Sequence, residues 1–474
     1  MRKILLKNAK VVDDKGIRKS DLLIEGEKIA AEEKRGFFKE AESKSEFKVI
    51  DLEGKYIFPG IIDAHTHYLL HSRGTVTADD FYQGSIAAAA GGVTTVIDYI
   101  DFPVDGDFKR SVAERKKEAS DSIIDYNFHQ VVQDFNENIS KNLADLKDLG
   151  LASIKLFTTY KDVGYMIERD QWSELFKRLK EIKILPQVHA EDDALIQDLK
   201  EVYEKRNLIA PRFHPAIRPG IAEALAVKDM GEEALKADTP LYIVHLSSLE
   251  GLEAVRELRS RKAQIYTETT PHYLLLDNSY LKKEEAQLYF MTPPLRNKYD
   301  NQKLWQGLST GEFQVVATDH CAFDRKQKMK SDSSLEILPG IPGTETMLPL
   351  LYSSGVRNNR ITIRELVEMI SINPAKIFGL YPEKGSLEIG TDADLTIFDP
   401  NLEKKLTAEN LHSAAKYSPY NDFTVKGYPV MTFRRGKLIF TDKLKAEKGS
   451  GKFTFAHSSS LLQPQNYLSE IDSF

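Results

Sequence analysis

From Tyr56 onward, short apolar runs alternate with stretches whose apolar residues recur every three or four positions. The runs at 56–64, 94–99, 126–132, 153–159, 184–189, 240–246, 264–270 and 313–319 read as strands buried on both faces, as parallel sheets require. The intervening segments 111–123, 171–182, 222–235 and 249–259 carry helical periodicity. Eight such units in roughly 270 residues predict a (β/α)8 TIM-like barrel. The stretch 192–219 reads as an insertion holding one extra helix. Beyond the eighth strand, Thr362-Ile363-Arg364-Glu365 predicts a capping box opening a helix through Ile370, and Asn373-Pro374 opens another.

Both chain ends have a different texture. Residues 1–54 give short β pieces punctuated by Gly16, Gly26 and Gly54, with a charged segment at 31–48 expected to be a solvated helix or loop. Residues 384–445 return to glycine-bounded β character. Neither end has enough strands to bury a core alone, so 1–54 and 384–445 are expected to pair into one small composite β-sandwich beside a barrel of 55–383. Residues 446–474 are expected to form either a frayed tail or an oligomerisation arm.

Composition narrows the partners. The 474 residues carry a net charge of −6, which gives no reason to expect nucleic acid or an anionic membrane. No apolar run approaches the ~20 residues of a bilayer span, and the N-terminal residues lack the apolar core of a secretion signal. The single cysteine, Cys321, suits a reducing compartment. The expectation is a cytoplasmic protein.

Candidate chemistry lies at the strand ends. The run ending Asp63-Ala64-His65-Thr66-His67 places two imidazoles two residues apart, hence on one side of a strand and able to reach one ion. His189, His245 and Asp319 each close a later apolar run, at the end of the barrel where active sites sit. Lys155 lies within Ser153-Ile154-Lys155-Leu156-Phe157, where burial of an ammonium is costly. It is either salt-bridged or neutral, and a neutral amine can add carbon dioxide to become an anionic carbamate ligand. His129, His214, His412 and His457 are read as ordinary hydrogen-bonded histidines.

Several segments together resemble the cyclic amidohydrolases, above all the D-hydantoinase/dihydropyrimidinase group. They include the segments 63–67, 74–84, 90–95, 155–161, 188–191 and 244–248. They continue through Thr270-Pro271-His272-Tyr273, Thr292-Pro293-Pro294-Leu295-Arg296 and Thr318-Asp319-His320-Cys321. The resemblance implies two divalent metal ions, with zinc the leading candidate. His65, His67 and Asp319 would hold one, His189 and His245 the other, with carbamylated Lys155 (N6-carboxylysine) between them. It implies a hydrolase acting on C–N bonds in cyclic amides: hydantoins or 5,6-dihydropyrimidines open to N-carbamoyl amino acids by attack of a metal-bridging hydroxide. Asp319 would move the proton and Tyr160 would support the oxyanion. Tyr160, Thr292, Phe157 and Gly340 are the expected contacts to a small cyclic amide or ureide. The loop Leu338-Pro339-Gly340-Ile341-Pro342-Gly343 lacks the asparagine of hydantoinases, which keeps allantoinase or dihydroorotase-like activity as the alternative. A non-catalytic scaffold relative ranks below, because all six ligand positions are filled. The family likeness also implies a homotetramer or homodimer.

Overall fold

In a computed structural model, whose described residues are 3–39 and 44–462, eight parallel strands follow one another in strict sequence order. They are β1 (Ile61–Thr66), β2 (Val93–Ile100), β3 (Asp125–Val131), β4 (Ser153–Phe157), β5 (Leu185–His189), β6 (Leu241–Ile243), β7 (Ile265–Thr269) and β8 (Val315–Val316). A parallel bridge between Thr66 and His320, with the His67 N–H donating to the His320 carbonyl at 2.8 Å, joins β1 to the chain after β8 and closes the ring. Every residue of β1, β2, β3 and β5 is buried, so these strands carry apolar residues on both faces, as parallel sheets require. The helices bury one stripe each: Trp172–Ile182 turns Trp172, Leu175, Phe176 and Leu179 inward. Helix Leu249–Ser260 begins where the Ser248 side chain accepts the Gly251 N–H, an N-cap five residues past the end of β6. The expected inserted helix is Asp193–Lys205, and the Thr362 capping box is complete in both bonds.

The two chain ends meet in one further sheet. Its order runs Lys437–Phe440, Thr424–Arg434, Leu395–Lys405, Tyr56–Pro59, Lys3–Asp13, Gly16–Glu25, Lys28–Lys34, with Phe47–Asp51 on Lys3–Asp13. Leu6, Val11, Leu22, Ile57, Leu395, Ile397 and Phe433 form its core. Two expectations need correction. The apolar run 56–64 is not one barrel strand: Tyr56–Pro59 pairs with Leu395–Phe398 in the second sheet, and only from Ile61 does the chain enter the barrel. The charged segment 31–48 is largely strand at its two ends, because Lys28–Lys34 is an edge strand whose charges face water; residues 40–43 lie outside the described residues.

Beyond the second sheet, the chain lies across the barrel base. Lys452 and Thr454 hydrogen-bond to Tyr126, Ala456 to Gly150, and His457 to Gly379. The tail or arm expected at 446–474 is therefore packed on its own barrel as far as residue 462; residues 463–474 are outside the described ones. Among the described residues, no helix is long and apolar enough to cross a membrane.

Candidate metal and hydrolytic site

The C-terminal ends of β1, β4, β5, β6 and β8 bring the six expected ligands to one place. His65 Nε2 and His67 Nε2 lie 3.2 and 3.1 Å from the same Asp319 oxygen, so these three can converge on one cation. Opposite them, His189 Nδ1 and His245 Nε2 face each other at 2.9 Å. The two sets are adjacent: the His65 and His245 rings are 5.4 Å apart. Lys155 is buried among them, its amine 5.1 Å from the Tyr99 ring and 5.3 Å from that of Phe157. Among the described residues that amine makes no ion pair or hydrogen bond.

Carboxylates behind the ligands fix their orientation, as outer partners of metal-binding histidines commonly do. Glu268 accepts from His65 Nδ1 (2.7 Å), from the His245 N–H (3.0 Å) and from the Tyr242 hydroxyl (2.9 Å). Glu191 takes His189 Nε2 at 2.7 Å and is itself held by Arg218. Each ligand imidazole thus has one nitrogen aimed inward, and the other in His65 and His189 is claimed by a carboxylate. His245 Nδ1 is buried without a partner. The Tyr99 ring stacks on His67 at 4.8 Å.

The electrostatics follow from burial against these charges. Burial opposes ionisation of Asp319, but His65 and His67 outweigh it and hold its carboxyl well below the usual range. Burial also disfavours charge on His65, yet Glu268 and Asp319 lift it to about 9. For Lys155 burial wins over Glu268 and Asp319 and brings the amine down to about 7. His67, His189 and His245 are all lowered, chiefly by burial.

The expected substrate contacts lie on one side. Tyr160 follows β4 with its ring 5.4 Å from that of His189 and the Arg218 guanidinium 4.8 Å away over its face. Burial pushes its hydroxyl up to about 12 despite Arg218 and Thr292. Phe157 stacks on His189 at 5.6 Å. Thr292 stands near the Tyr160 hydroxyl, and its own N–H and C=O have no protein partner among the described residues. Gly340 differs: its N–H donates to the Phe290 carbonyl (2.9 Å) and its carbonyl accepts from Lys328 (2.8 Å), so both main-chain groups are engaged. The histidines read as ordinary have protein partners. His129 bonds Ser153 and the Ala64 carbonyl, His214 the Met291 carbonyl, His412 Glu345, and His457 pairs through its main chain.

Sequence reasoning missed Glu268, Glu191 and Arg218. Glu268 had a signal, an acid inside the buried run Ile265-Tyr266-Thr267-Glu268-Thr269; Arg218 had none, since it reaches Glu191 from the end of an insertion. A second acidic group, Asp125, Asp392 and Asp394, also clusters closely, but the Lys384 ammonium already occupies its centre.

A ring of parallel strands with this donor set at its C-terminal mouth defines a metal-dependent hydrolase barrel, and residues 56–439 match the amidohydrolase family. The chain belongs to that family. Among its relatives, a D-phenylhydantoinase of Escherichia coli O9:H4 (strain HS) is 38% identical over 457 residues, covering 95% of this chain and 97% of that protein. The crystal structure of dihydropyrimidinase from Brevibacillus agri NCHU1002 superposes with a TM-score of 0.92 at 31% identity, covering 96% and 99% of the two chains. An L-hydantoinase (dihydropyrimidinase) from Arthrobacter aurescens gives 0.84 at 26% identity, covering 96% and 100%.

Proposed function

We infer that this protein hydrolyses the cyclic amide bond of hydantoins or 5,6-dihydropyrimidines, giving N-carbamoyl amino acids. The observation that carries the reading is the convergence of His65, His67 and Asp319 with the facing His189–His245 pair around a buried, unpaired Lys155. The residues fit a pair of divalent ions: five nitrogen or oxygen donors aim inward, and facing ring nitrogens 2.9 Å apart suit a shared ligand better than each other. His65, His67 and Asp319 would hold one ion, His189 and His245 the other, with zinc the leading candidate. Such a pair, when bound, polarises the scissile carbonyl and acidifies water near neutral pH.

The neutral Lys155 amine would add carbon dioxide: an N–C bond forms, a proton leaves to solvent, and the carbamate gains one negative charge to balance two cations. Asp319, kept ionised by its histidines, accepts the proton of the attacking water. It then delivers that proton to the ring nitrogen as the C–N bond breaks. Tyr160, protonated at neutral pH and held further from ionisation by its burial, would donate to the oxygen on which charge develops. The free main-chain groups of Thr292 are placed to hold the ring amide, while Phe157 offers an apolar face to a substituent. With both its polar groups engaged and the position of a Cβ already filled by Cys321, Gly340 would act by letting its segment pack close to Cys321 rather than by a direct substrate contact. The named relatives favour this reading over allantoinase. A homotetramer or homodimer and a cytoplasmic setting remain proposals resting on the family likeness and on the lone buried Cys321.

The test is a metal-reconstituted panel of hydantoin, 5,6-dihydrouracil, allantoin and dihydroorotate. Preference for one of the first two is expected; preference for either of the others overturns the substrate assignment. In the same assay Lys155→Ala is expected to be inactive and partly rescued by added short carboxylic acids. Wild-type turnover in Lys155→Ala would exclude the carbamate.

A further inference from the structure

We propose that Lys328 is a positioning residue that sets the grip on the substrate ring, an inference that rests on the cyclic-amide reading above. Lys328 ends the short helix Arg325–Lys328, a few residues past Asp319. It is fully buried, and among the described residues no carboxylate lies within ion-pairing distance of it. Its amine instead donates to three main-chain carbonyls: Phe290 at 2.7 Å, Leu338 at 2.6 Å and Gly340 at 2.8 Å. An ammonium has three donors and no acceptor, so the match between donors and carbonyls is complete. Burial without a counter-charge brings its amine down to about 7, and the three carbonyl acceptors favour the ammonium, the form that has a donor for each. A methionine of similar length would fill the space beside Phe290, Leu338 and Cys321 without that cost. The lysine therefore supplies something packing does not.

What it supplies is the relative placement of two segments at the substrate end. One runs through Phe290 to Thr292, the other through Leu338 to Gly340; apart from Lys328, the Gly340 N–H to Phe290 carbonyl bond joins them. The carbonyls preceding Thr292 are both held from behind, that of Phe290 by Lys328 and that of Met291 by His214 at 3.0 Å. Thr292, which follows them, has no protein partner for its own N–H and C=O among the described residues. The neighbouring Gln327 extends the same scaffold, with its amide donating to Thr75 Oγ1 (2.7 Å) and the Val76 carbonyl (2.8 Å) of the small hairpin that pairs His71–Ser72 with Thr75–Val76. One helical turn thus ties three segments together, and these bonds engage none of the expected metal ligands.

The consequence is a separation of binding from chemistry. In Lys328→Met, KM for the best panel substrate is expected to rise about tenfold, the effect of one misplaced hydrogen bond. Its kcat should stay within about twofold and its metal content should match wild type. Where Lys328→Met does not fold, Lys328→Gln, which keeps two of the three donors, is read in the same way with a smaller KM rise. Unchanged KM in the variant that folds, or kcat falling together with metal content, overturns the proposal. Wild-type turnover on the panel is a separate readout. Its absence overturns the cyclic-amide reading and this proposal with it, whereas its presence without the KM effect overturns this proposal alone.

Discussion

Tyr160, His245 and Asp319 hold φ values of +68°, +36° and +48°, a left-handed backbone that costs a non-glycine residue on the order of 1–2 kcal/mol. Three such residues at one barrel mouth are a concentration of strain of the kind that functional sites tolerate. Each lies at or just past a strand end, where the turn takes the chain out of the ladder. For Tyr160, removal of the hydroxyl alone should leave that backbone and its packing on His189 intact while deleting the proposed donor to the developing oxyanion. Tyr160→Phe is therefore expected to lower kcat by roughly 10²–10³ with KM little changed. Steady-state kinetics decide it; a proportional rise in KM at constant kcat would assign the hydroxyl to ground-state binding. The same backbone feature marks a limit of sequence reading. The identities of His245 and Asp319 were visible as polar ends of apolar runs, but β6 and β8 span only 241–243 and 315–316 rather than 240–246 and 313–319. Residues 245 and 319 leave extended geometry, and nothing in Val-His-Leu or Thr-Asp-His announces it.

Among the elements, the alternation of buried strands and amphipathic helices made the barrel legible, because a strand covered on both faces carries apolar residues at odd and even positions alike. The same property hid the junction at Gly60. An apolar run from Tyr56 to Ala64 looks like one strand, yet its first half pairs in the second sheet and its second half in the barrel. At the crossing, the Gly60 N–H donates to the Asp394 carbonyl at 2.8 Å. A Cβ there would stand 2.1 Å from Thr94 Oγ1 and 2.9 Å from the Asp394 Cβ. The two layers approach too closely for any side chain. Gly60→Ala is expected to cost about 1–3 kcal/mol through overpacking, seen as a lower urea midpoint. Since β1 delivers His65 and His67 just beyond, metal content at limiting zinc should fall as well. A variant with wild-type stability would show that the junction can relax.

At the scale of the whole molecule, one buried charge cluster joins parts of the chain far apart in sequence. Lys384 lies 2.5 Å from Asp125 at the start of β3, 2.6 Å from Asp394 and 3.0 Å from Asp392 before the strand Leu395–Lys405. Arg435 reaches Asp125 at 3.0 Å, and the Lys452 N–H of the C-terminal stretch donates to it at 2.9 Å. Barrel base, second sheet and chain end thus share one network, which no local pattern could reveal. Burial opposes charge on Lys384, but three carboxylates hold its amine above the usual range. Removing the central cation leaves those carboxylates buried and under-compensated, so Lys384→Met should cost about 3–5 kcal/mol. The pH dependence has a definite sign. Asp125 and Asp392 are held below their ordinary value, because Lys384 and the neighbouring cations overcome burial. Their contribution is therefore full above about pH 4 and lost as pH falls through the lower native values. Asp394, raised by burial, works in the opposite direction and takes up its proton first. Wild-type urea midpoints are thus expected to decline below about pH 4, and to decline less in Lys384→Met, where the depression of Asp125 and Asp392 is relieved. Equal acid sensitivity in the two proteins would mean that the cluster contributes no ionic stabilisation and holds the layers together by packing alone.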